Sequence, residues 1–243
     1  MRRLLPALVA LAFLGGWALA STRINPVLLP SPLEVGHTLL TEGRIWRATA
    51  TTAMASVGGL AIASVVALSL SVAFLRSRWL ELALYPYALL LQTVPIVAIA
   101  PLLLVWLGYG TPVAVTSAAI VSFFPILTAG NVGLRAVEPA QVELLELYGA
   151  SWWQQLIKLR VPASLPHLFA GYRTAVGLSV IGAIVGEFVA SNGLPVSLGY
   201  VVLSSARSAQ TGQTFGAVVA STLLALLLFG LVRGLEALAL RGR

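Results

Sequence analysis

Apolar positions in this chain run in blocks, not stripes. Six near-continuous apolar segments, at about 4–20, 48–75, 82–107, 111–134, 171–190 and 214–231, alternate with short polar intervals. Each approaches or exceeds the ~20 residues that take an α-helix across a bilayer. The pattern predicts an all-α integral membrane protein with six transmembrane helices in one domain spanning 1–243. Residues 1–20 admit a second reading, because Arg2 and Arg3, an apolar run and Ala18-Leu19-Ala20 also have the form of a cleavable signal. A retained first span is adopted, since it leaves an even number of crossings and both termini on the arginine-rich side.

One interval breaks the block pattern. From Glu138 to Gly171 the chain reads EPAQVELLELYGASWWQQLIKLRVPASLPHLFAG, with polar and apolar residues at helical spacing. Pro139 suits a first helical turn and Gly149 a left-handed stop. Ser151 and Gln154 are the two halves of a capping box opening a second helix, which Pro162 is expected to end. Val142, Leu145 and Tyr148 form one stripe, and Trp152, Leu156 and Leu159 another. The result is a pair of short amphipathic helices, a loop over 138–166 between spans. It either lies on lipid or docks in the groove of a partner protein. Glu143 and Glu146 on the first helix, with no Lys or Arg, suit a partner better than anionic lipid.

The remaining intervals are short. Ser31, between Pro30 and Pro32, is placed to cap a helix after an extended entry. The block 48–75 is charge-free and rich in small residues, as a buried span packed on neighbours requires. The block 82–107 holds Pro86, Pro95 and Pro101 around Gln92-Thr93. It is either a kinked packing helix or a broken helix beside a pathway, with Gln92, Thr93 and Pro95 at the break. Gly177, Gly182 and Gly186 in the fifth block are spaced for close helix packing. Residues 191–212 are expected outside the membrane, re-entrant or loosely helical.

Composition changes the picture in two ways. Apolar residues make up 58% and charged residues only 9%, against roughly 25% charged in soluble domains. The fifteen Lys and Arg outnumber eight acids, all Glu. In a soluble protein that balance would suggest nucleic acid; here it reads as orientation, and no nucleic-acid partner is expected. With both ends inside, eleven basic residues (Arg2, Arg3, Arg76, Arg78, Arg135, Lys158, Arg160, Arg173, Arg233, Arg241, Arg243) face the cytoplasm and four (Arg23, Arg44, Arg47, Arg207) face out. The 138–166 loop is then cytoplasmic.

Catalytic chemistry finds no support. The two histidines, His37 and His167, form no HExxH, and there is no GxSxG, no Asp and no Cys. No GxxxxGK[ST] loop exists, so ATP is neither bound nor hydrolysed here by that route, and no cofactor or metal site is expected. Energy must come from a membrane gradient or another subunit. Glu187, the one acid well inside a span, is either a pathway or gate residue or a structural carboxyl with a polar partner. Arg173 suits a snorkelling anchor. Asn192-Gly193 is a turn signal first and a ligand contact second.

The 138–166 loop resembles the EAA loop of importer-type ABC transporter permeases: E-A-A, three residues, G, nine residues, I-x-L-P. Glu143, Gly149, Leu159, Val161 and Pro162 occupy the matching positions, while Leu144 and Leu145 replace the two alanines. The segments LPSPLEV (Leu29 to Val35), QTVPIVAIAPLLLVWLGYG (Gln92 to Gly110) and GEFVASNGL with LGY (Gly186 to Tyr200) are similar to the nitrate/sulfonate/taurine branch. That branch includes riboflavin and thiamine-precursor pyrimidine importers. The family's GLGY is interrupted here between Gly193 and Tyr200. The resemblance implies a MetI-like permease fold, a second permease copy (a homodimer or a related chain), a cytoplasmic ABC ATPase dimer that uses the ATP, and an external substrate-binding protein. It also implies coupling to the ATPase through Glu143, Gly149, Ala150, Trp152, Leu159 and Pro162. The rival from another class is an ion-coupled secondary carrier using Glu187. Such carriers usually show internal repeats, and none is evident between the halves.

Overall fold

The computed structural model describes residues 5–192 and 196–241, and what it describes is helical. In chain order the helices are α1 (Leu5–Ser21), α2 (Pro32–Thr41), α3 (Gly43–Arg76), α4 (Arg78–Thr93), α5 (Ile96–Leu107), α6 (Thr111–Arg135), α7 (Pro139–Leu147), α8 (Trp152–Gln155), α9 (Val161–Ala190), α10 (Leu198–Arg207) and α11 (Thr211–Ala239). Four helices are long and apolar enough to cross a membrane: α3, α6, α11, and the continuous stretch from α8 through α9. The bent pair α4–α5 makes a fifth if counted as one span. The 17-residue α1 stands at the edge of the bundle. It is held there by the Trp17 indole donating to the Pro30 carbonyl at 3.0 Å and by the ring of Phe215.

The core is a three-helix seam with α6 in the middle, packed by α3 on one side and α9 on the other. Small residues make the approach possible. At Gly59 of α3 an added Cβ would lie 2.5 Å from the Ala118 side chain, and at Gly182 of α9 2.7 Å from the Ser117 carbonyl. In lipid, apolar burial does not drive helices together, so close contact of this kind supplies the association. The expected GxxxG step is present, since Gly182 and Gly186 both face α6. Gly177 does not belong to the seam, because a Cβ there would meet nothing within 4 Å.

Several expectations need correction. The block 82–107 is two helices bent by 101°. Of its three prolines only Pro95 breaks the helix; Pro86 and Pro101 stay inside α4 and α5. The difference lies in Val94, driven extended (ψ 123°) by the proline that follows it, so that two successive residues leave the helical region. Pro162 does not end the second loop helix. A π turn over Leu156–Arg160, with the Val161 amide donating to the Leu156 carbonyl, joins α8 to α9. The widened turn relieves the clash of the proline ring with the carbonyl four residues back. One helix of 39 residues therefore runs from Trp152 to Ala190. Span limits also move: α3 begins at Gly43, α9 at Val161, and α11 covers Thr211–Ala239. At 34 residues α3 is about 51 Å long and outreaches a ~30 Å bilayer core. Ser31 caps α2 as expected, accepting from the Glu34 amide at 3.2 Å. Residues 198–207, expected to be loose, form the capped helix α10.

Candidate functional site

Three separate places on the fold hold the sequence-predicted residues. The first is the corner between α7 and α8. Gly149 has φ +73°, its amide donates to the Glu146 carbonyl at 2.9 Å, and the Ala150 amide donates to the Leu145 carbonyl at 2.9 Å. This pair of bonds is a Schellman closure, which satisfies the last carbonyls of α7. The capping box then opens α8: Ser151 Oγ accepts from the Gln154 amide at 3.4 Å, and Gln154 Oε1 accepts from the Ser151 amide at 2.8 Å. Both turns are thus closed by their own residues. Val142, Leu145, Trp152 and Leu159 are half-buried and Leu156 is buried. Tyr148, expected on the packed stripe, is 81% exposed; it stands beyond the last turn of α7 and points out with Leu147 and Trp153. Glu143 is exposed, and Gly149 lies at the corner tip with no side chain near it.

The corner is fastened to the bundle at two points. The Arg76 guanidinium, at the end of α3, lies 5.9 Å from the Trp152 ring centroid. Arg160 Nη1, in the π turn, donates to the Leu134 carbonyl at the end of α6 at 3.1 Å. Next to it, Arg135 donates to Glu81 at 2.9 Å and to the Phe74 carbonyl at 3.2 Å, and Asn131 donates to the other Glu81 oxygen at 3.0 Å. Glu81, at the start of α4, thus joins the broken helix to the end of α6. Sequence reasoning passed over this carboxylate. Its one signal is being the sole acid among the arginines at the α3–α4 boundary. Arg173 is not a free anchor but holds both oxygens of Glu236 on α11, at 2.9 and 3.2 Å.

The second place is the α4–α5 break. Gln92 lines a cavity of about 180 Å³ with Val94, Val121, Phe124, Pro125 and Leu178. Thr93 is not in that lining; its hydroxyl turns back to the Leu90 carbonyl at 2.8 Å. Pro95 is the first residue ahead of α5.

The third place is Glu187, nine residues beyond Leu178 along α9 and so about 13 Å further on. The side chain is 5% exposed. Its Oε2 accepts from Thr52 Oγ1 at 3.0 Å and from the Gly199 amide at 2.9 Å, while Thr52 Oγ1 accepts from the Leu198 amide at 3.0 Å. Ser197 caps Tyr200 of the same turn. First-turn amides of α10, which have no partner within their own helix, are thus satisfied by α3 and α9. Glu187 Oε1 has no protein partner among the described residues and borders a void of about 10 Å³, the size of one water. Asn192 is exposed just past α9. Gly193 to Pro195, the start of the interrupted GLGY segment, lie outside the described residues. Nothing in the sequence near Glu187 signals Thr52, which is 135 positions away.

Glu187→Gln is expected to keep uptake near the wild-type rate, because an amide oxygen still accepts from Thr52 and Gly199. Glu187→Leu leaves both donors buried and unpaired, at about 1–3 kcal/mol each, and is expected to lower the melting temperature of the purified protein. Normal melting of the leucine variant would remove the capping role.

A multi-pass helical bundle with a rigid external corner and a broken span defines the class as a transport permease rather than an enzyme. The chain belongs to the family described as binding-protein-dependent transport system inner membrane component, whose profile matches residues 59–239. It is 37% identical over 217 residues to the riboflavin transport system permease protein RibX of Chloroflexus aurantiacus, covering 88% of this chain and 80% of that protein. It is 33% identical over 242 residues to the formylaminopyrimidine transport permease protein ThiX of Halalkalibacterium halodurans, covering 98% and 95%. Similarity also extends to the taurine transport system permease protein TauC of Escherichia coli, 25% identical over 234 residues and covering 93% and 83%. It is therefore an ABC-type permease subunit of a binding-protein-dependent importer, a multi-pass protein of the inner membrane.

Proposed function

We propose that this subunit forms the solute pathway and is driven by a separate cytoplasmic ABC ATPase that seats on the α7–α8 corner. The observation that supports this most is the corner itself. Its two turns are closed by a Schellman motif and a capping box, its outer face presents Leu147, Tyr148 and Trp153, and α8 runs without a stop into α9. A push on such a corner is delivered to a membrane span as rigid-body movement. The chain has no phosphate-binding loop of its own, so nucleotide chemistry belongs to the partner. Glu143, Gly149, Ala150, Trp152, Leu159 and Pro162 are the coupling residues in this reading. Both termini and the corner lie in the cytoplasm, a second copy of the chain completes the pathway, and an external binding protein delivers the solute. Gln92 and Pro95, at the α4–α5 break, flank the pathway, with Thr93 beside them. Glu187, with Asn192 nearby, belongs to the outer layer that holds α10. The solute is a small organic molecule.

The energy source is the deciding test. Uptake in cells carrying the whole system is expected to vanish when the Walker lysine of the partner ATPase is replaced. It is expected to survive an uncoupler as long as cellular ATP is held constant. Uptake that collapses with the uncoupler and ignores the ATPase variant would mean an ion-coupled carrier instead.

A further inference from the structure

The cavity at the α4–α5 break has a chemistry that selects among solutes. It lies between α4, α6 and α9, about 180 Å³ in volume, and no charged side chain lines it. Its one polar side chain is the Gln92 amide, which makes no hydrogen bond among the described residues. Pro125 and Val121 are both in the wall. Because proline has no N–H, the Val121 carbonyl loses the donor it would have four residues on, leaving an acceptor in the same lining. Phe124 supplies an aromatic wall, and the other lining residues are apolar.

We propose that this cavity is a transit site for an uncharged, single-ring heteroarene bearing an N–H donor beside a ring acceptor. The proposal rests on the reading that the α4–α5 break flanks the pathway, and it adds the class of solute. Three features argue for the ring. The Gln92 amide offers a donor and an acceptor on one planar edge, matching the paired donor and acceptor of an amino-substituted ring nitrogen. The Val121 carbonyl accepts an amine N–H but repels an anion. Phe124 pairs with an aromatic face or edge, which adds attraction beyond area burial. A sulfonate would bring full charge into a site with a single NH₂ and no cation, against a desolvation cost nothing there repays. Size narrows the class further. Pockets for drug-sized ligands begin at roughly 300 Å³, so this cavity suits one ring and its substituents rather than a fused tricyclic system.

The test uses the absence of cysteine from the chain. Val121→Cys and, on the opposite wall, Leu178→Cys each give a single thiol in the lining. Each is made with Gln92 intact and with Gln92→Leu, purified in complex with its ATPase in lipid nanodiscs, and labelled with N-ethylmaleimide. Aminopyrazine is expected to slow labelling of both thiols in a saturable manner, with half-protection requiring about tenfold more probe in the Gln92→Leu background. Ethanesulfonate at equal concentration is expected to leave the rate unchanged. Equal protection by ethanesulfonate, or aminopyrazine protection indifferent to Gln92→Leu, overturns the proposal. Trapping the ATPase with ATP and vanadate, without probe, reads the underlying assumption separately. A labelling rate unmoved by nucleotide takes the cavity off the pathway and overturns the transit role even if the ring binds. A rate that shifts with nucleotide but not with aminopyrazine keeps the pathway and removes the site.

Discussion

Gly149→Pro is expected to abolish ATP-driven uptake while the membrane bundle stays folded. Gly149 sits at φ +73°, a region a proline ring locked near −65° cannot enter. The substitution also deletes the amide that donates to the Glu146 carbonyl, so the closure of α7 fails at the residue that makes it. A cost of about 3 kcal/mol or more falls on this corner. It stays there because Gly149 is exposed and nothing lies within 4 Å of where its Cβ would be. Gly149→Ala separates geometry from donor: it keeps the N–H and meets no neighbour, so it pays only the left-handed backbone penalty, about 1–2 kcal/mol. Uptake reduced but present is the outcome for alanine. The measurements are solute uptake in cells, recovery of the ATPase on affinity-purified permease, and melting temperature. The docking role fails if the proline variant transports normally. It also fails if the variant retains its ATPase and loses uptake only through a collapsed melting temperature.

What could be read from the chain alone divides by range. The Schellman glycine, the capping box at Ser151 and Gln154, and the Ser31 cap all depend on residues within a few positions, and each forms as its local chemistry requires. The break at Pro95 was legible only as a choice, because three prolines in one block look alike until backbone angles show that Val94 leaves the helix too. Pro162 misled for the opposite reason. A proline usually stops a helix, and no local signal announces the π turn that carries the chain past it. Gly177, Gly182 and Gly186 are equivalent as spacing, yet only the last two face α6. Glu187 was legible as costly but not as satisfied, since its partners Thr52 and Gly199 come from α3 and the start of α10. Glu81 was missed because its meaning depends on Asn131 and Arg135, fifty and more positions away.

Replacing Gly186 with valine is expected to prevent correct assembly of the bundle, and the same change at Gly177 to do almost nothing. At Gly186 a Cβ would lie 2.7 Å from the Ala114 Cα, 2.9 Å from the Val113 carbonyl oxygen and 3.0 Å from the Ala114 amide nitrogen. All three are backbone atoms, so no side-chain rotation makes room and α9 must move away from α6. Overpacking costs about 1–3 kcal/mol where side chains can adjust, and here they cannot, so the loss lies at or above the upper end. Moving α9 outward also draws Glu187, the next residue, away from Thr52. That exposes the first-turn amides of α10, and the two losses share one displacement. They are therefore coupled, and Gly186→Val with Thr52→Val should destabilise by less than the two separate effects combined. Gly177 provides the control: it lies on the same helix and is just as apolar, but its Cβ would enter open space. Elution profile and thermal melting of the detergent-purified proteins report the difference. A Gly186→Val protein that elutes and melts like wild type would show that α6 and α9 are not held by this contact, and equal damage from both valines would trace the effect to the helix backbone itself.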